Sequence, residues 1–400
     1  MRKPSVGIIF LTVFIDLIGF GIIIPLLPIY ATNFNASTWE IPALQSTFSL
    51  MQFVFAPLLG RLSDRIGRRP VLLTSTAGAA ISYAVFAYGS GLQGHSALLL
   101  LFVSRAFAGL CGANIGVAQA YIADITPPAE RSKRMGLIGM AFGLGFVLGP
   151  FIGGKARGLF GPAGPGWVAA SLCAVNFILA FLILPESRKP NSEHVAERPH
   201  FAQWMHTMTR PTVGLLIGIF FLATFCFACF EITLGLLVLK KFSLGTTSAE
   251  SIQIASNLFM FAGIVGAVFQ GGATGRLVKI LGEPKLIAVS LFCVALSLGL
   301  MPFAAGWFQI YLFVALLAIG SSMTRPPVFG MISNLTSANE QGVTIGVAQS
   351  AGSVARIVGP FFAFPLFAFK PALPYLLCAA VSLFTGILAW QRLPRNQVPA

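Results

Sequence analysis

Five charged side chains lie deep in apolar sequence: Asp16, Arg105, Glu231, Arg325 and Arg356. A charge at the centre of a bilayer costs at least about 2.5–3.5 kcal/mol, so each such residue is a candidate for function. Asp16 stands about ten residues, or roughly 15 Å, into the first apolar run. Arg105 lies about eight residues from the far end of the fourth, also near mid-depth. Burial favours a protonated carboxyl and a neighbouring guanidinium favours an ionised one, so a small rearrangement switches such a pair between states. That is the chemistry of a proton carrier. A permanent structural ion pair between Asp16 and Arg105 uses the same two residues. Asp16, Arg105 and Glu231 are the candidate proton-coupling set.

Glu231, about nineteen residues into its run, suits a cationic ligand, a proton, or a hydrated rim position. Arg325 precedes Pro326-Pro327, which are expected to interrupt their helix and free carbonyls toward a cavity. An arginine there contacts an anionic or carbonyl-bearing ligand, or offsets Glu231 or Asp16; Arg356 is open to the same readings. Three arginines against two acids leave this interior formally positive. Gln52, Asn114, Gln119, Asn257 and Gln349 are the candidate polar lining of a cavity, together with Glu231, Arg325 and Arg356, and with Phe20 and Phe230 nearby.

A second constellation is GRLSDRIGRRP, residues 60–70, set between two apolar runs. Gly60 and Gly67 suit a close turn with positive φ, and Pro70 suits the first turn of the next helix. The four arginines of this segment mark one side of the membrane. Asp64 among them is not explained by orientation alone. Asp124, at the end of the fourth run, is a natural partner for Arg65 or Arg68.

These residues need elements to hold them. At mean hydropathy +0.84, with 56% hydrophobic and 10% charged residues, the chain is far from the roughly 25% charged of soluble domains. The pattern predicts an all-α integral membrane protein with twelve spans near 6–30, 41–60, 71–91, 97–121, 136–157, 166–185, 212–239, 249–274, 285–304, 307–331, 342–366 and 372–391. The first run follows Arg2 and Lys3 but holds Asp16 and has no clear small-residue cleavage site, so it is expected to be retained as a helix. A polar linker over 186–211 separates residues 1–185 from 212–400. Its 201–208 part is expected to form an amphipathic surface helix anchored by Trp204.

Eighteen lysines and arginines, from Arg2 through the 61–69 cluster to Arg395, fall on the side of the termini. Only Lys155, Arg157, Lys240, Lys241 and Lys370 fall opposite, so both termini are expected to be cytoplasmic. The net charge of +14 is spread over short loops, which argues for topology and against nucleic-acid binding. The six cysteines all lie in apolar runs and read as small buried hydrophobes, the lone Cys226/Cys229 pair included. No nucleophile–base set, phosphate loop or metal cluster appears, so an enzyme is not expected.

The halves repeat. Gly60-Arg61-Leu62 and Gly67 return as Gly275-Arg276-Leu277 and Gly282. Asp124, Glu130, Gly136 and Gly149-Pro150 return as Asn334, Glu340, Gly346 and Gly359-Pro360. Even helix numbers starting on one side make the repeat parallel, which predicts two pseudo-symmetric six-helix bundles about a midplane site. Lys279 replaces Asp64 and Ala315 replaces Arg105 in the second copy, so gate and coupling chemistry concentrate in the first half.

Four motifs carry a family likeness: FIDLIGFGIIIPLLP (residues 14–28), GRLSDRIGRRP, Arg105 with Gly109, Gly112 and AYIADI, and the glycines Gly136, Gly145, Gly149-Pro150, Gly153 and Gly154. On these the chain resembles the major facilitator superfamily, in its twelve-helix drug:proton antiporter branch and most closely its tetracycline-efflux-like members, over nearly its whole length. The resemblance implies proton-coupled efflux of a small lipophilic compound or drug by rocker-switch alternating access. The protein would act as a monomer in a bacterial inner membrane, without cofactor, driven by the proton gradient. It makes Gly60, Asp64, Arg65, Gly67, Arg68 and Asp124 a gating motif, with Asp64 bracing the start of helix 11. It makes Gly145, Gly149, Pro150, Gly153 and Gly154 an antiporter motif, whose close spacing is expected to seal against a helix of the C-terminal half. Tetracycline exporters carry an acid where this chain has Ser82, and membrane-embedded charges in helices 8 and 9 that it lacks, which argues against magnesium-chelated tetracycline. The alternatives are a facilitator or proton symporter of an organic anion, and a non-transporting membrane sensor.

Overall fold

The computed structural model describes residues 5–127, 131–187, 205–244, 249–336 and 341–393. Among these every regular element is helical. Ten helices are long and apolar enough to cross a membrane. They are α1 (Val6–Asn33), α2 (Glu40–Ile66), α3 (Arg68–Ser90), α4 (His95–Asp124), α6 (Gly164–Ile183), α7 (Pro211–Lys241), α9 (Glu283–Phe303), α10 (Trp307–Asn334), α11 (Gln341–Phe369) and α12 (Leu373–Arg392). Between them, α5 (Arg131–Phe160) is 30 residues long, and the apolar α8 spans Ala249–Val268. All twelve expected positions are therefore helical. Residues 205–208 form one helical turn, and the rest of the expected surface helix, Trp204 included, lies outside the described residues.

The chain forms two compact units, Met1–His194 with Leu234–Met260, and Val195–Thr233 with Phe261–Ala400. The division thus runs through α7 and α8 rather than only through the polar linker.

The core of the first unit joins Ile9, Val13 and Leu17 of α1 to Val71 and Leu72 of α3, Val117 and Tyr121 of α4, Ile138 of α5 and Ala180 of α6. The core of the second joins Leu216 and Phe220 of α7 to Ile287 and Leu291 of α9, Val328 of α10, Val347 of α11 and Ala389 of α12. The two cores draw on corresponding helices, the three-dimensional form of the sequence repeat.

The glycine repeat acts elsewhere than expected. A Cβ on Gly145 would lie 2.8 Å from Leu17 O, one on Gly149 2.5 Å from Gly21 C, and one on Gly153 2.7 Å from Ile22 O. Spacings of four put these glycines on one face of α5, and they bring its backbone onto that of α1, within the first half. Only Gly154 faces the second half of the sequence, at Gln253 and Ser256 of α8. The matching residues of α11 behave alike: Gly352 faces Phe220 and Gly359 faces Ala228, both on α7. Gly-on-backbone contact gives a larger van der Waals gain than any side chain allows at that separation, so the repeat closes each half on its own first helix.

Three further expectations change. Gly60 is not a turn residue: α2 runs on to Ile66, and only Gly67, at φ 104°, breaks the chain before α3. Its copy Gly282 has φ 77°. Pro326 and Pro327 do not interrupt α10, which stays helical from Trp307 to Asn334; a packed membrane helix absorbs the two missing N–H groups. Instead it is α4 that breaks, at Ala113–Asn114 between Gly112 and Ile115. Gln52 Nε2 donates to the Gly112 carbonyl there at 2.9 Å.

Candidate functional site

The break in α4 has a direct consequence for Asp16. It turns Asn114 toward α1, where its amide donates to Asp16 Oδ2 at 3.4 Å. From α6, Asn176 Nδ2 donates to Asp16 Oδ1 at 2.9 Å and, with its other hydrogen, to the Thr12 carbonyl at 2.9 Å. Three helices thus hold one carboxylate between two neutral amides. Neutral donors fit both forms of a carboxyl better than a fixed cation does, since loss of the charge then leaves no buried cation behind.

Arg105 is 1% exposed. Its guanidinium lies 4.6 Å from the Phe48 ring centroid and 5.9 Å from that of Phe20. Phe20 sits one turn beyond Asp16 on α1, tilted at 43° against Phe48 with centroids 4.7 Å apart and edge to face with Phe146 at 6.0 Å. Arg105 thus packs against an aromatic cluster of α1, α2 and α5, while the contacts described for Asp16 are the two amides. Gln119 is half-buried farther along α4.

The 60–70 motif forms a second cluster at one end of the unit. Of the two arginines expected to meet Asp124, Arg68 does so, Nε to Oδ2 at 3.2 Å. Arg68 Nη1 also bonds Asp64 and donates to Ser63 Oγ at 2.7 Å. Arg65 is exposed on the last turn of α2. A residue that sequence reasoning passed over completes the cluster. Glu186, just past α6, accepts from the Arg68 and Arg69 backbone N–H groups at 2.9 and 3.0 Å. It therefore sits on the positive end of α3, where a carboxylate is favoured. Arg69 donates back to the carbonyls of Leu184 and Phe181, and Ser187 Oγ donates to Asp124 at 3.0 Å.

At the other end of the first unit, Arg157, one of the cations counted on the side opposite the termini, is 9% exposed. It lies 5.0 Å from the Tyr30 ring and donates to the Tyr30 hydroxyl at 3.4 Å. The hydroxyl in turn donates to the Pro162 carbonyl at 2.5 Å. On α8, Gln253 Nε2 donates to Asn257 Oδ1 at 2.8 Å, so Asn257 is engaged along its own helix.

In the second unit Glu231 is 7% exposed on α7. Arg325 on α10 donates to Gln349 Oε1 of α11 at 3.4 Å and lies beside Phe329 and Phe220, at 5.5 and 5.8 Å. Arg356 follows Gln349 by seven residues, two turns, and so shares its face. Cys226 and Cys229 are free thiols, as are the other four cysteines. No group of metal-ligating residues occurs among the described residues.

Two repeated helical halves, each with charged side chains in its apolar interior, define a polytopic membrane transporter. A sequence profile described as Major Facilitator Superfamily matches residues 9–360 and again 247–400. The chain belongs to the Major Facilitator Superfamily. It is 34% identical to "Tetracycline resistance protein, class E" of Escherichia coli, over 88% of this chain and 85% of that one. It is 27% identical to "Multidrug resistance protein 2" of Bacillus subtilis, over 96% of this chain and 94% of that one. The crystal structure of the human organic anion transporter MFSD10 (TETRAN) aligns with TM-score 0.72 and 25% identity, covering 97% of this chain and all of that one. These relatives are transporters and not enzymes, in line with the chemistry of the sequence.

Proposed function

We propose that the protein is a proton-coupled exporter of small, largely apolar compounds, working by alternating access of its two halves. The observation that carries this is the Asp16 carboxylate held mid-helix by Asn176 and Asn114. A proton taken up there removes the only charge on the clamp, and the two amides accommodate either form by rotation or exchange of partners. Arg105 on its aromatic cluster supplies the fixed positive charge that draws the proton off again when the helices shift. The Asp64–Arg68–Asp124 cluster would latch one alternating state, and both termini would lie in the cytoplasm of a bacterial inner membrane. The protein would act as a monomer and need no cofactor beyond the proton gradient.

Drug efflux is supported by the relatives named for tetracycline and multidrug resistance. Ser82, at the position where the resemblance implies an acid in tetracycline exporters, is buried with its hydroxyl bonded to the Ala79 carbonyl, which supports a substrate other than magnesium-chelated tetracycline. The test is flux of a lipophilic dye in proteoliposomes with an imposed pH gradient. An exporter of this kind concentrates the dye only while the gradient lasts. Equal flux with the gradient collapsed by an ionophore would make the protein a facilitator.

A further inference from the structure

The second unit contains charges that proton coupling at Asp16 does not use. Arg325 on α10 bonds Gln349 on α11, Arg356 lies two turns beyond Gln349 on the same face of α11, and Glu231 is buried on α7. Two guanidinium groups against one carboxylate give these three side chains a formal net charge of +1. In an apolar interior an anion brought beside a guanidinium interacts with it far more strongly than in water.

The surroundings say what kind of anion. Phe220 and Phe329 flank Arg325 and meet each other edge to face, 5.0 Å apart at 81°. Gln349 holds the guanidinium from α11. A planar fork of donors beside two rings matches a carboxylate or sulfonate carried on a flat aromatic body. Glu231 lies eleven residues beyond Phe220 on the same face of α7, about 16 Å along the helix, so it closes the far end of the row against a second negative charge.

We propose that the second unit is the recognition site for a monoanionic aromatic substrate, with Arg325 and Arg356 binding the anionic group and Phe220 and Phe329 the ring. This deepens the exporter reading by naming its substrate class, and it rests on transport but not on proton coupling. Export of a monoanion in exchange for a proton moves two charges in the same sense, so transport is strongly electrogenic.

The experiment measures binding to the purified full-length protein, with no gradient present. The probes are four 2-substituted naphthalenes: 2-naphthoate, the neutral and nearly isosteric 2-naphthamide, the cationic 2-naphthylmethylammonium and 2,6-naphthalenedicarboxylate. The expected order puts naphthoate about tenfold or more above the amide, the margin of a charge-assisted hydrogen bond, with the cation weakest. Arg325→Gln brings naphthoate down to the level of the amide measured in the same variant, and its melting temperature reports folding. Glu231→Gln shifts preference toward the dicarboxylate. Amide or cation binding as tight as naphthoate in the wild type, or an unchanged preference in Arg325→Gln, overturns the proposal. Arg356→Gln serves as a second variant should Arg325→Gln fail to fold. Failure of proton coupling would show only in gradient-driven flux and would leave this binding order intact.

Discussion

Asn176 Nδ2 on α6 lies 2.9 Å from Asp16 Oδ1 on α1 and equally close to the Thr12 carbonyl. One buried amide, at 1% exposure, thus ties the backbone of α1 to the only acid in its span. The amide that orients the carboxylate belongs to α6, so the placement of the Asp16 carboxyl depends on how α6 packs on α1.

Replacing Asn176 by Ala removes both bonds. The expected stability loss is about 1–2 kcal/mol from the orphaned buried acceptors. Gradient-driven transport should fall about tenfold while membrane insertion stays normal. Asn176→Gln, which keeps the amide on a longer stem, should recover part of the rate. Transport assays in proteoliposomes with the melting temperature measured alongside would separate the two effects.

The α1–α5 seam makes a sharp steric prediction. Gly149→Ala would put a methyl 2.5 Å from Gly21 C, against backbone that cannot rotate away. Overpacking of this kind costs about 1–3 kcal/mol, read as a lower melting temperature. Gly158→Ala on the same helix meets nothing within 4 Å and should be neutral or slightly stabilising.

Glu186→Gln should weaken the start of α3 by about 0.5–1 kcal/mol at low ionic strength. Glu186 is exposed, so the difference from wild type should shrink as salt is added. A salt-independent loss would point to the hydrogen bonds rather than the charge.

Asp64→Asn should slow transport without reducing the amount of protein in the membrane. Asp124→Asn should do likewise, and the double variant should cost less than the sum of the two, since both acids share Arg68. Additive effects would mean that the two carboxylates act separately.

Much of this molecule was legible beforehand, and the gaps have common causes. Hydropathy marked the twelve helical positions because length and apolarity are properties of single segments. Periodic glycine and Asp124-type markers exposed the repeat for the same reason. Arg68 with Asp124 followed from charge and placement. Partner choice across helices was harder to read. The glycines of α5 announced close packing but not that α1 receives them. Asn176 is the one amide in its span, a signal that was present, yet nothing local ties it to a residue 160 positions earlier. Glu186 looked like the start of a linker because its role depends on where α3 begins in space. Pro326-Pro327 invited a break that packing overrode, whereas the real break at Ala113–Asn114 has no proline to announce it.

The central claim is that Asp16 carries the coupled proton. Its most direct test is substrate flux in proteoliposomes containing Asp16→Asn, measured both under an imposed pH gradient and as gradient-free counterflow. The account predicts that the variant loses acceleration by the gradient while counterflow persists, because the substrate path is intact and only the titrating group is gone. Full gradient-driven flux in Asp16→Asn would contradict it.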